Sequence, residues 1–323
     1  VTGEVQPPLL SIVIPAYRGR FLAEALESVA RAADADTEVV VGDDASPDDI
    51  RGIAEPYQSR LNLRYHRFDT NLGGRSLTRQ WDRCVALSRG QWVLLLGDDD
   101  LIDPHYVRAF RETLAATDGR FDVYRFDTRW IDANGAVIRS GDSHPDVQRW
   151  DEYLLARFRS QSYTFTCDNV FARSAYDRAG GFVDFPLAWC ADDASWIAFG
   201  ARTGFKKVHG ALASWRLSGD NISSNNTNLL RCKLLAMSKF LAWLARNRRW
   251  LHPSDTVRSR DIQSAGVAWY FDRYWAAPQT MSYTDLPMIA LRLGLFSPAT
   301  ALRCVLRLVR QELALRLMVR DPS

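Results

Sequence analysis

The sequence predicts an α/β fold built on a parallel sheet with crossover helices. Three observations carry this. Apolar strand-like runs alternate with stretches of helical periodicity through the first hundred residues. Two of those runs stop abruptly in carboxylates, at Asp43-Asp44 and at Asp98-Asp99-Asp100. The run over 92–96, Trp-Val-Leu-Leu-Leu, has no polar alternation, as expected of a strand buried on both faces.

The elements follow in order. Residues 9–14 form the first strand, ending at Pro15-Ala16-Tyr17. Residues 20–31 space Phe21, Leu22, Ala25, Leu26 and Val29 as one helical face. Residues 38–42 are rich in β-branched side chains and form the second strand. Ser46, Pro47 and Asp49 then suit the start of a helix. A third strand covers 61–66, and Asn71-Leu-Gly73-Gly74-Arg75 is a loop of phosphate-binding character. A helix over 79–87 leads to the fourth strand. Beyond it, a helix over 104–117, strands over 122–126 and 129–131, and a hairpin to 136–138 through Asp132-Ala-Asn-Gly135 are expected. Residues 140–151 read as a loop or lid, and 162–174 as a mixed region. Asp192-Asp193 precede an apolar helix that begins at Trp196, a placement that suits simple N-capping. A strand runs from 206–209 towards 214–216. From about residue 229 the chain turns helical, over 230–245, 259–275 and 300–320, the last with Arg303, Arg307 and Arg310 on one side. The expected division is 8–228 for an α/β domain and 229–323 for a helical extension.

In a parallel sheet all carboxyl ends lie on one edge, where ligands bind. Asp43, Asp44 and Asp98–Asp100 therefore converge over one crevice. Taken alone, the three consecutive aspartates fit a metal–diphosphate site or an acidic turn equally. Two converging clusters favour the site.

Composition narrows the class. The 323 residues are 47% hydrophobic and 24% charged, an ordinary globular balance with a net charge of +3. Residues 1–230 hold 26 Lys/Arg against 32 Asp/Glu, and residues 231–323 hold 15 against 6. No nucleic-acid-binding module accompanies this basic excess, so no nucleic-acid partner is expected. An anionic membrane surface or a protein partner is the alternative. The five cysteines form no C-x-x-C pair, and neither a disulfide framework nor structural zinc is expected. No leader pattern and no membrane-spanning run is visible, so a cytoplasmic location, peripheral at the inner face of the membrane, is expected. There is no G-x-G-x-x-G, no P-loop and no H-E-x-x-H.

Six pieces occur together: Ser11-Ile-Val-Ile-Pro15-Ala-Tyr17, Val41-Gly-Asp43-Asp44-Ala-Ser46-Pro-Asp48, Asn71-Leu-Gly73, Arg89-Gly90-Gln-Trp-Val-Leu-Leu-Leu-Gly-Asp98-Asp99-Asp100, Asp192-Asp193 and Arg216-Leu-Ser-Gly-Asp-Asn-Ile-Ser. In this order and spacing, over residues 9–225, the chain resembles an inverting family-2 glycosyltransferase with the GT-A fold, a Rossmann-like sheet flanked by helices. The resemblance implies a nucleotide-sugar donor, most often a UDP-sugar, and Mn²⁺ or Mg²⁺. It places Pro15, Ala16 and Tyr17 along the nucleotide, Asp43 or Asp44 on the base, and Asp98 on ribose or metal-bound water. Asp99 would ligate the metal directly, with Asp100 as its companion or, in an Asp98-x-Asp100 reading, its substitute. Asp193 would be the base for the acceptor hydroxyl, its proton affinity raised by Asp192. Trp189 and Trp196 would wall the acceptor, and Arg216 would face the diphosphate. Two departures stand out. Gly97 occupies the place of the first acid of the family's Asp-x-Asp-Asp, and Thr78 the place of a frequent arginine, leaving Arg75 or Arg79 for the phosphates. Bacterial relatives build surface polysaccharides such as O-antigen or capsule on glycan or lipid-linked acceptors. A nucleotidyltransferase is the competing enzyme reading, but its glycine- and arginine-rich loop is missing after the first strand. A non-catalytic sugar-binding scaffold is the competing reading outside enzymes, and the retained acids argue against it.

Overall fold

The computed structural model describes residues 6–299 and 302, apart from 142, 220, 223–228 and 276–284. Four parallel strands open it: β1 (Leu10–Ala16), β2 (Thr37–Asp43), β3 (Asn62–Arg67) and β4 (Trp92–Leu95), in the spatial order β3-β2-β1-β4. β2 and β4 are buried along their whole length. Helices cover both faces, which is why these strands carry apolar runs rather than alternation. The crossovers are α1 (Leu22–Ala32), α2 (Ile50–Ala54) followed by a 3₁₀ turn at Glu55–Ser59, and α3 (Leu77–Leu87). The Ser76 side chain caps α3 by accepting from the Arg79 amide.

A buried acid joins the strands below the site. Glu38, in the middle of β2, accepts from the Ser11 hydroxyl at 2.6 Å and the Arg89 amide at 2.8 Å. Burial pulls its proton affinity up, but the hydrogen bonds from Ser11 and Arg89 and the nearby Arg64 outweigh it and leave the carboxyl below its usual range. Gly90 allows this approach: a Cβ there would stand 2.6 Å from the Ser11 backbone nitrogen.

After β4 the sheet changes direction. β5 (Leu101–Ile102) and α4 (Tyr106–Ala116) lead to β6 (Val123–Ile131), β7 (Val137–Ser140), β8 (Val147–Gln148), α5 (Trp150–Phe158) and β9 (Asn169–Ala172). Then come α6 (Arg173–Ala179), α7 (Ala191–Gly200) and β10 (Phe205–Arg216). The full order is β3-β2-β1-β4-β9-β6-β10-β5, with β7 on β6 and β8 on β10. β9 runs antiparallel to both β4 and β6, while β6 and β10 run parallel to each other. The α/β class holds, with an antiparallel seam in the middle.

Several local expectations change. The strands expected over 122–126 and 129–131 are one strand, β6, because Asp127 and Thr128 continue its pairing with β10. The loop expected over 140–151 contains β8 and the start of α5. The α5 entrance is anchored by Trp150, which is buried, and by Glu152 accepting from the Arg149 amide at 2.9 Å. The helix after the acid pair starts at Ala191, so Asp192 and Asp193 lie in its first turn.

The C-terminal helices α8 (Leu230–Arg246), α9 (Ser259–Trp275) and α10 (Leu286–Phe296) pack on the α/β layer. Phe158 of α5 meets the rings of Phe240, Trp269 and Phe296, and Phe185 meets Phe240. Gly266 lets α9 approach, since a Cβ there would lie 2.8 Å from both Phe158 and Phe296. The helix α10 was not expected from the sequence; the basic helix expected over 300–320 lies outside the described residues, Leu302 apart. Cys84, Cys167 and Cys190 are buried free thiols, and Cys232 is half-buried. No helix among the described residues is long and apolar enough to cross a membrane.

Candidate active site

The carboxyl ends of β1, β2 and β4 are tied together by side chains from the acid clusters. Asp98, just beyond β4, accepts from the Tyr17 and Arg18 amides at 2.9 and 3.0 Å, so it holds the end of β1. Burial, reinforced by the Asp99 charge, pushes the Asp98 carboxyl up to about 6. The Asp44 amide donates to the Ala16 carbonyl, and the Ser46 hydroxyl donates to the Tyr17 carbonyl. Pro15 and Ala16 thus form a braced floor, and the Tyr17 side chain stands exposed beside them.

The Asp43 and Asp44 carboxylates turn to different tasks. Asp43 is fully buried and accepts from Tyr65 and Arg67, each at 2.6 Å, and from the Ser46 amide. Asp44 accepts from the Leu72 and Gly73 amides at 2.7 and 2.8 Å and pairs with Arg83. The 71–74 loop therefore wraps the Asp44 carboxylate, and Gly73 is required there: a Cβ would sit 2.7 Å from Asp44 Oδ2. Arg83 also lies over the Phe68 ring. Sequence reasoning passed over Arg83 and named Arg75 and Arg79, which are both exposed. One turn beyond Arg79 on the same helix was the available signal.

The three aspartates after β4 diverge. Asp99 accepts from Asn221 at 3.1 Å, which joins it to the loop after β10. Asp100 is 3% exposed and faces inward, accepting from the Arg216 amide. Burial raises both carboxyls, Asp100 the further, with the Asp99 charge as its second cause. Asp100 is therefore held by the strand end of β10, one of its oxygens engaged by that amide. Arg216, expected at the diphosphate, is engaged with the protein itself. Its guanidinium is wholly buried, donating to the Asp99, Asp132 and Ala133 carbonyls and to Glu24, over the Phe21 ring. In this arrangement four of its five N–H donors are taken by the protein's own oxygens.

On the other side, Asp193 is 1% exposed. Its Oδ1 accepts from the Tyr153 hydroxyl at 2.5 Å and from Arg157 at 2.8 Å, while its Oδ2 is buried without a hydrogen-bond partner. Asp192 is half-buried and its Oδ1 accepts from the Asp193 amide. Burial and the Asp193 charge push Asp192 up to about 7. The expected mutual repulsion thus shows itself on Asp192. Tyr153 and Arg157 come from α5, just beyond the stretch read as a loop and in residues assigned to no element from the sequence, so neither was foreseen. Trp196 is a core residue, packed against Phe171, Phe182 and Phe199, rather than an acceptor wall.

Among the described residues no three His, Cys, Asp or Glu side chains form a ready metal cage. The donor set fits a hard cation of another kind. A half-buried Asp99 beside Asp98 suits an ion that takes one or two carboxylates and completes its shell with phosphate oxygens and water.

The sequence profile of glycosyl transferase family 2 matches residues 11–182, over half of the chain. The chain belongs to glycosyl transferase family 2. Among family relatives, validoxylamine A glucosyltransferase of Streptomyces hygroscopicus subsp. jinggangensis is 36% identical over 304 residues, covering 81% of this chain and 69% of that protein. Poly(ribitol-phosphate) β-N-acetylglucosaminyltransferase TarS of Staphylococcus aureus is 33% identical over 130 residues, covering 39% of this chain and 21% of TarS. The match thus spans about a fifth of the length of TarS. The crystal structure of S. aureus TarS 1–349 with UDP-GlcNAc superimposes with a TM-score of 0.65 at 18% identity, over 89% of this chain and 80% of that one, which shows the shared GT-A fold.

Both departures from the family pattern have steric reasons. A Cβ on Gly97 would meet Asp100 Oδ2 at 2.9 Å, so an acid at 97 requires the Asp100 carboxylate to shift. Thr78 is fully buried and donates to Asp184 at 2.6 Å, which leaves no space for an arginine.

Proposed function

We propose that this family-2 chain moves a sugar from a nucleoside diphosphate sugar to an acceptor hydroxyl by single displacement, with inversion at the anomeric carbon. The observation that carries the proposal is Asp193 Oδ2, a buried carboxylate oxygen without a partner whose twin is fixed by Arg157 and Tyr153. Such an oxygen is oriented to take a proton, and Arg157 supplies the countercharge. Asp193 is then the base for the acceptor hydroxyl, and Asp192 shapes its field.

The donor lies over the braced floor of Pro15, Ala16 and Tyr17. Asp43 and Asp44 border the base, with their carboxylates already fixed by Tyr65, Arg67 and the 71–74 loop. Asp98 reaches the ribose side. Asp99, with Asp98 beside it, would hold Mn²⁺ or Mg²⁺, which supplies charge stabilisation for the departing diphosphate. Arg79 and the exposed Arg75 flank the same edge on α3 and its entry loop. Residues 8–228 carry these groups, and the helices α8, α9 and α10 belong to the extension, 229–323.

The relatives suggest the donors to try. TarS is described with UDP-GlcNAc, and the Streptomyces relative is a glucosyltransferase. A glycan or lipid-linked acceptor in surface polysaccharide synthesis, reached from the cytoplasmic face of a membrane, accords with the basic residues 231–323. The test is binding of UDP-GlcNAc, UDP-glucose and GDP-glucose by calorimetry, with and without Mn²⁺, on wild type and Asp99→Ala. Metal-dependent binding of one donor, weakened at least about tenfold in the variant, is expected. A folded wild type that binds none of them removes the transferase reading.

A further inference from the structure

The segment just before the acid pair has an unusual backbone. Leu187, Ala188 and Cys190 all have left-handed φ, at 60°, 52° and 64°, and none is glycine. Such residues persist only where the surroundings over-determine them. The 3₁₀ turn Pro186–Ala188 and the bend at Cys190 lead directly into Ala191 and the acid pair. Whatever holds this segment therefore sets where the Asp192 and Asp193 carboxylates stand.

What holds it comes from α8, a helix of the C-terminal extension. Lys233 is 2% exposed, and its Nζ lies 4.4 Å from the centre of the Trp189 ring. Trp189 sits between the two left-handed residues Ala188 and Cys190. About two helical turns further on, Phe240 meets Phe185, at the entrance of the same segment. Two side chains of α8 thus pin both ends of the segment. Burial, and then the charge of Arg273 on α9, bring the Lys233 amine down to about 8, so the cation is held at some cost against the ring.

The geometry points to Lys233 as a positioning residue: through Trp189 it clamps the strained 186–190 segment and so fixes the acid pair for reaction. This rests on the functional reading above for the role of Asp192 and Asp193. It makes the helical extension part of the catalytic apparatus rather than an appendage. The donor floor is built by β1, β2 and β4, so the clamp should act on turnover and leave donor affinity alone.

The experiment compares wild type, Lys233→Met and Lys233→Arg in the full chain. Three readouts are taken: UDP-GlcNAc and UDP-glucose affinity by calorimetry, the rate of UDP release from whichever donor binds, and amide hydrogen exchange of residues 186–193. Lys233→Met should keep donor affinity within about twofold, slow UDP release about tenfold and speed exchange in 186–193, and Lys233→Arg should restore both within about threefold. Unchanged exchange and unchanged UDP release in Lys233→Met overturn the proposal. So does a general loss of melting temperature with no rescue by arginine, which marks a merely structural lysine. Absence of donor binding in the wild type sinks the functional reading instead, and the exchange comparison still decides whether Lys233 clamps the segment.

Discussion

Arg216 shows how one residue type serves two purposes. The guanidinium fork that binds phosphate oxygens also binds backbone carbonyls. The motif after β10 was therefore legible as important but not as to which oxygens it meets. In the fold its N–H groups donate to the protein's own oxygens: they tie the turn after β4, the hairpin turn at Asp132 and Ala133, and Glu24 of α1. Replacing it leaves these acceptors unpaired around a cavity. Arg216→Ala should cost about 2–3 kcal/mol in urea unfolding, from the cavity and the carbonyls left without donors, since the exposed Glu24 regains water and adds little. Asp192 offers a prediction with a pH signature. Its folded-state pKa, about 7, lies above that of an unfolded aspartate, so the folded chain holds the proton more tightly. The cost of ionising it appears as pH rises from about 4 to about 7, and persists above that. Asp192→Asn should therefore raise stability at pH 8 by on the order of 1 kcal/mol for this half-exposed group and change little at pH 4. Equal effects at both pH values in thermal melts would remove this account.

At the scale of elements, what could be read depended on how many faces an element buries. β1, β2 and β4 are covered on both sides and declare themselves as apolar runs. β9 has only four residues, and β8 only two, so pairing with the longer β6 and β10 rather than their own pattern makes them strands. The helix α5 was hidden because its residues look polar until Trp150, Tyr153 and Leu154 are seen to share a buried side. The segment at 186–190 was illegible for another reason: nothing in Leu187, Ala188 or Cys190 announces a left-handed backbone. Each such residue stores about 1–2 kcal/mol. Ala188→Gly should consequently leave melting temperature unchanged or raised. Ala188→Val, which adds a β-branch at φ 52°, should lower stability by at least about 1 kcal/mol.

On the scale of the molecule, the α/β layer and the helical extension share one hydrophobic core, running from Leu10 to Phe296. The half around the ends of β1, β2 and β4 was legible, because the convergence of its acids follows from the parallel-sheet rule. The half around Asp193 was not, since it depends on which helix of the extension lands on which loop. Removing residues 229–323 would strip the cover from Phe158, Phe185 and their neighbours. At about 25 cal/mol per Å² of newly wetted apolar surface, such a loss exceeds the margin of an ordinary domain. A chain ending at residue 228 should thus aggregate or bind a hydrophobic dye, as followed by size-exclusion chromatography.

The uneven burial of the thiols turns this docking into something observable. Burial pushes the Cys84 thiol up to about 12 and raises those of Cys167 and Cys190 well above the ordinary thiol range, which leaves them slow towards alkylating reagents. Cys232 is half-buried and adjoins Lys233 on α8. With Cys304 replaced by serine, one thiol should react quickly, and its rate would report whether α8 is seated or lifted while the rest of the chain stays silent.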